Sequence, residues 1–142
     1  MKISSYLNFS GQCEEAFNLY AKVFNAKPNG VHRFANSPMA GQVGPDWGNK
    51  IMHIDLPIDG QILMGSDAPG PYFQKPQGFA VCIEPANETE ADRIYQQLSE
   101  GGEIKMPLQE TFWAKRYGHF VDRFGTPWMI NVVQACGPDA SA

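Results

Sequence analysis

His53 and Asp55 stand two residues apart in the run Ile51-Met-His-Ile-Asp-Leu-Pro-Ile58, where apolar and polar residues alternate. In a strand, residues two apart share a face, so this pair has the make-up of a general base and the carboxylate that orients it. Imidazole, with an ordinary pKa of about 6.5, is poised for proton transfer. The pair equally suits a histidine satisfied within a sheet or at a subunit interface, as polar groups in sheets commonly are. His32, His53, Asp55, His119 and Asp122 are the other candidates for a shared metal, but none of their spacings is of the tight His-x-x-x-His kind. His119 is expected on the opposite strand face from Gly118 and Phe120. Trp113, Arg116 and Tyr117 form a further cluster. Arg beside aromatics suits a carboxylate or phosphate group under a lid, and suits a dimer contact equally well.

Other chemistries leave no trace. A nucleotide-type methyl donor is usually held by a glycine-rich turn between a buried strand and a helix. Here the strands that precede helices run into Asn8-Phe-Ser-Gly-Gln and Glu84-Pro-Ala-Asn. No P-loop, Ser-His-Asp order or cysteine-nucleophile context is present. Cys13, Cys82 and Cys136 are odd in number and lack metal spacing, which predicts reduced thiols. Cys82, in an apolar run, reads as a small core residue.

The elements that must position these groups come in two copies. Ala16, Leu19, Tyr20, Val23 and Phe24 follow the i, i+3, i+4, i+7, i+8 pattern of an amphipathic helix. Ala91, Ile94, Tyr95 and Leu98 repeat its first four positions 75 residues later. The strand Ile3 to Phe9 precedes the first helix and Phe79 to Ile83 the second. Asn87 or Thr89 would cap the second helix, and Gly101-Gly102 would stop it. Met52, Ile54, Leu56 and Ile58 alternate with His53, Asp55 and Pro57 up to Asp59-Gly60, a two-residue hairpin turn, after which Gln61 to Ser66 returns. That turn pairs Ile58 with Gln61, Asp55 with Met64, and His53 with Ser66. In the second half Tyr117 to Val121 reaches the turn Asp122-Arg-Phe-Gly125, and Pro127 to Val133 returns. Each half reads strand, helix, then about three strands. Residues 35–48 and 67–77 are irregular, and 136–142 reads as a frayed tail.

Tyr6-Leu-Asn-Phe, the helix Ala-Phe-Asn-Leu-Tyr, His53 with Leu63-Met-Gly-Ser-Asp67, and Thr111-Phe-Trp through Met129-Ile-Asn131 together resemble the glyoxalase/bleomycin-resistance (vicinal oxygen chelate) superfamily, in its PhnB-like branch. The resemblance implies an α+β fold of two βαβββ modules forming a curved mixed sheet, with helices on the convex side and a small-molecule cup on the other. It also implies four metal positions, which map to Ser4, Met64, Phe79 and Met129. A hydroxyl, two thioethers and a phenyl ring are no ligand set for a hard divalent cation, so neither metal nor cofactor is expected. From Ser4, alternation brings Tyr6 and Asn8 to the cup side, and from Met129 it brings Asn131; the hairpin register adds His53, Asp55 and Ser66. Trp128, Ile130 and Val132 then point away and pack under a helix. The expected activity is binding of a small molecule in the cup, with His53 and Asp55 as acid/base of an enzyme as the alternative. A homodimer is the expected assembly.

Size and charge bound the partners. The 142 residues are expected to form a single domain, with module one at about 1–70 and module two at about 76–135. A chain of this size buries roughly two-thirds of its unfolded surface. The net charge of −4 and the scattered Lys and Arg argue against nucleic acid, which needs a basic stripe, and against anionic membranes. No apolar run approaches the ~20 residues of a membrane span, and Met1-Lys-Ile3 leads straight into a strand without a signal peptide. A cytoplasmic location is expected.

Overall fold

Asp59 and Gly60 both adopt positive φ, 47° and 81°, the paired left-handed conformation of a tight hairpin turn. This turn locks β3 (Ile51–Ile58) to β4 (Gln61–Asp67) with Ile58 opposite Gln61 and Asp55 opposite Met64. In the computed structural model, which describes residues 1–134, β1 (Ser5–Phe9) then pairs parallel to β4, and β2 (Gly30–Arg33) pairs antiparallel to β3. The order is β1-β4-β3-β2. The tail expected at 136–142, with Cys136, lies outside the described residues.

One face of this sheet is covered by α1 (Cys13–Val23). Ala16, Tyr20 and Val23 of the expected stripe are buried, and Leu19 and Phe24 are half-buried. The stripe is completed by Cys13 and Phe17, both buried. Phe17 is admitted by Gly65, where an added Cβ would lie 2.4 Å from the Phe17 ring. Leu7, Phe9, Ile54, Leu56 and Leu63 make up the sheet side of this core. At its end sits Asp67, only 2% exposed. Its Oδ1 accepts from the backbone N–H of Gly11 and Cys13, and its Oδ2 from that of Ile51. One carboxylate thereby joins β4, the entry to α1 and the start of β3. Between β2 and β3 the irregular segment contains three short 3-10 turns, with Phe34 buried against Trp47.

The second half repeats the plan with β5 (Val81–Ile83), α2 (Glu88–Ser99), β6 (Glu103–Gln109), β7 (Ala114–Val121) and β8 (Pro127–Val133), in the order β5-β8-β7-β6. Asn87 caps α2 by accepting from Glu90 N–H at 2.9 Å. Ala91, Ile94 and Leu98 of α2 are buried, as are Phe120, Trp128, Ile130 and Val132 of the sheet. Asp122, 3% exposed, accepts from Phe124 N–H, Thr126 N–H and the Trp128 indole N–H. The molecule is thus α+β, two βαβββ modules each with its own four-stranded mixed sheet and one helix. The two compact units divide after Pro76. No helix of the described residues is long and apolar enough to cross a membrane.

Two expectations fail in β5. Cys82 is exposed rather than core, because it pairs with Met129 on the face away from α2, while Val81 and Ile83 pair with the buried Trp128 and Ile130. Phe79 lies two residues before the strand and is 54% exposed. For Phe79 the cause is a one-residue difference between strand and helix spacing. Tyr6 pairs with Met64 as Cys82 pairs with Met129, a strand offset of 76, whereas Ala16 and Ala91 are offset by 75. The counterpart of Ser4 is therefore Ala80, not Phe79.

Candidate functional site

The face of the first sheet that α1 does not cover carries two polar rows. Tyr6, Met64, Asp55 and Gly30 are successive partners across β1, β4, β3 and β2. The neighbouring row holds Asn8 beside Ser66, and His53 beside His32. Ser66 Oγ donates to Asn8 Oδ1 at 3.2 Å. The structure thus brings Tyr6, Asn8, His53, Asp55, Met64 and Ser66 onto one face. His32, whose ring centroid is 6.4 Å from that of His53, belongs there too. No sequence period points to it, because β2 is too short and too exposed to show one.

Three of these side chains are linked. His53 Nε2 lies 2.7 Å from Asp55 Oδ1, and His53 Nδ1 lies 3.2 Å from Tyr6 Oη. A carboxylate only accepts, so neutral His53 carries its proton on Nε2 and its Nδ1 accepts from the Tyr6 hydroxyl. Both imidazole nitrogens are thereby occupied. The outermost member is Tyr6, 44% exposed, whose oxygen still has lone pairs to offer; His53 and Asp55 sit behind it, about a third exposed.

The helix-free face of the second sheet is less polar. Met129 is flanked by Cys82 on β5 and His119 on β7, and Asn131 faces Tyr117. Gly118 and Phe120 are buried on the other side, so His119 stands opposite them and beside Met129. The Tyr117 hydroxyl donates to Met129 Sδ at 3.3 Å. Among the described residues Asn131 Oδ1 is buried without a hydrogen-bond partner. Trp113, 42% exposed, contacts Tyr117 and Phe112 edge to face. Arg116 is not brought to this face. It pairs with the buried Val132 and donates from Nε to Asp92 of α2 at 3.0 Å, which raises its pKa above the ordinary guanidinium value. Trp113 and Arg116 therefore do not close on one ligand group as a clamp.

The cysteines are poor nucleophiles. Burial, with the nearby Asp67 and Glu14 charges, pushes the Cys13 thiol far above its ordinary value, and burial with Glu84 raises that of Cys82. Nor do the residues fit the metal positions implied by the resemblance. With Ala80 in place of Phe79, Ser4, Met64, Ala80 and Met129 supply no imidazole or carboxylate. Among the described residues no group of three or more His, Cys, Asp and Glu is arranged to hold a metal. A methyl donor held at a helix start fits no better. Gly11 and Cys13 N–H are taken by Asp67, and Glu90 N–H is taken by Asn87.

Paired βαβββ modules define the glyoxalase/bleomycin-resistance class. The fold matches that of the fosfomycin resistance protein FosX from Listeria monocytogenes with a TM-score of 0.61 over 95% of this chain and 94% of that one, at 12% identity. More particularly, the chain belongs to the PhnB-like family described as 3-demethylubiquinone-9 3-methyltransferase, whose model matches residues 1–131. It is 33% identical to protein YjdN of Escherichia coli (strain K12) over 94% of this chain and 97% of that protein. It is also similar to protein PA1353 from Pseudomonas aeruginosa, at 37% identity and a TM-score of 0.83 over 94% and 98% of the two chains.

Proposed function

We propose that this PhnB-like protein binds a small polar molecule on the helix-free face of its first sheet, with Tyr6 making the contact and His53 and Asp55 positioning it. The observation that carries this reading is the Tyr6–His53–Asp55 hydrogen-bond chain. It stands outside the core and ends at an exposed hydroxyl, so packing gives no account of it. Met64, between Tyr6 and Asp55, adds an apolar wall, and Asn8 with Ser66 adds further polar groups. Polar groups that converge beside an apolar wall are what orient a ligand in a small-molecule site. Phe79, Trp113, Met129 and Asn131 belong to the second unit, which begins at Gln77.

The short His53–Asp55 contact also favours a second reading, an enzyme of proton transfer. A proton leaving the ligand would reach the Tyr6 oxygen as the phenolic proton moves to His53 Nδ1. The resulting imidazolium would be balanced by the Asp55 carboxylate. We further propose a cytoplasmic homodimer, for which exposed Phe112 and Trp113 offer aromatic surface of the kind enriched at interfaces.

A thermal-shift screen over metabolites finds the ligand, since binding to the folded state raises the melting temperature. Tyr6→Phe and His53→Ala should each weaken its binding roughly tenfold or more. Unchanged affinity in both variants would end the reading. Loss of turnover with affinity retained would select the enzyme. Sedimentation as a monomer at micromolar concentration would remove the dimer.

A further inference from the structure

The second sheet carries a donor and an acceptor side by side, each poorly matched among the described residues. Tyr117 and Asn131 are direct cross-strand partners on the face away from α2. Among the described residues Asn131 Oδ1 is buried with no hydrogen-bond partner, a costly state for an amide oxygen. The Tyr117 hydroxyl donates to the Met129 thioether at 3.3 Å, and a thioether is a weak acceptor that a carbonyl readily outcompetes. Hydroxyls and amides within a sheet ordinarily find better partners than these.

We infer that Tyr117 and Asn131 form a subsite for a carboxamide edge, that is, a primary amide or lactam whose N–H and C=O lie side by side. The ligand N–H donates to Asn131 Oδ1, and its C=O accepts from Tyr117 Oη. Met129 stands beside both. Its unbranched side chain has three rotatable bonds and a soft sulfur, so it can shift and release the phenol to a better acceptor. The Trp113 ring, whose centroid is 5.4 Å from that of Tyr117, supplies an apolar wall for the rest of such a molecule. An ester or tertiary amide keeps the carbonyl but leaves Asn131 Oδ1 unpaired, so a polar site of this kind rejects it. The subsite does not rest on the first-sheet reading and stands even if Tyr6 and His53 bind nothing.

The test is a titration of the full chain with benzamide and with N,N-dimethylbenzamide, following the Asn131 side-chain amide by nitrogen-15 NMR. Benzamide should give saturable shifts, and the dimethyl analogue should bind roughly tenfold more weakly or worse. Tyr117→Phe, which keeps the ring packing, should weaken benzamide several-fold without lowering the melting temperature. Asn131→Leu should abolish the preference between the two probes. Equal shifts from both probes, or none from either, would overturn the inference. So would a long-lived water bound at Asn131 Oδ1 that benzamide fails to displace.

Discussion

The two modules share a backbone plan and divide its packing differently. Residue correspondence through the paired strands sets Leu63 against Trp128 and Gly65 against Ile130. Correspondence along the helices sets Phe17 against Asp92. In module one the bulk comes from the helix, and Phe17 fills the space above Gly65. In module two it comes from the strand, with Ile130 fully buried and Asp92 turned outward to Arg116. The buried carboxylates differ in the same way. Asp67 ties the strand end to the helix entry, while Asp122 closes a β7–β8 turn onto the Trp128 indole. A duplicated unit can thus conserve its fold while exchanging which layer supplies the core volume, leaving the helix-free faces to diverge. One became a polar chain of Tyr6, His53 and Asp55, and the other a sulfur-rich surface around Met129 and Cys82.

The comparison is broken most severely at Trp128. Trp128→Ala should cost about 3–5 kcal/mol, and Leu63→Ala at the corresponding place about 2–4 kcal/mol. The excess at Trp128 reflects the lost indole donor to Asp122 as well as the larger ring. Urea denaturation measures both. Equal losses would show that the indole–carboxylate contact adds nothing. Next, Asp67→Ala orphans three backbone N–H groups and should cost about 3 kcal/mol.

The layer exchange itself is tested at Gly65. Gly65→Ala drives a Cβ into the Phe17 ring and should cost about 1–3 kcal/mol. Phe17→Leu alone should destabilise, yet the double variant should be more stable than the sum of the singles predicts. Strict additivity in this double-mutant cycle would show that the helix ring and the strand glycine are not coupled.

Much of this was legible in the chain. The Asp59-Gly60 pair announces its own register, because only a tight left-handed turn uses such residues, and period two then sorts His53, Asp55 and Met64 onto one face. The helix echo likewise identifies two modules. What sequence could not supply was the exchange of volume between layers, which moved the α1 stripe toward Phe17 and left Gly65 looking like a mere strand glycine. The 75-residue offset holds for the helices but slips by one in the preceding strand, which displaced the Ser4 counterpart from Ala80 to Phe79; Cys82, read as core from its apolar run, lies on the face away from α2. Arg116, expected with Trp113 and Tyr117 in a lid or a dimer contact, follows the same alternation: one residue from Tyr117, it takes the helix side, pairs with Val132 and reaches Asp92.

The smallest expected effect concerns how each helix is tethered at its surface. In module one Arg33 of β2 donates to both carboxylate oxygens of Glu14 on α1; in module two Arg116 of β7 reaches Asp92 on α2. The hydrogen bond from Arg33, ahead of the opposing effect of burial, holds the Glu14 carboxyl below its ordinary value. A carboxylate depressed in the folded state contributes stability above its unfolded pKa, about 4.3 for Glu, and that contribution fades as pH falls through the lower folded value. Both side chains are substantially exposed, 32% for Arg33 and 52% for Glu14, so solvent screening limits the pair to about 0.3–1 kcal/mol. Glu14→Gln should therefore lose that amount at pH 7 and nothing below the folded pKa of Glu14, so the difference between variant and parent should close on acidification. Urea melts from pH 7 down into the acid limb check this. A difference that stays constant with pH would mean that Glu14 acts through packing or helix propensity and not through its charge.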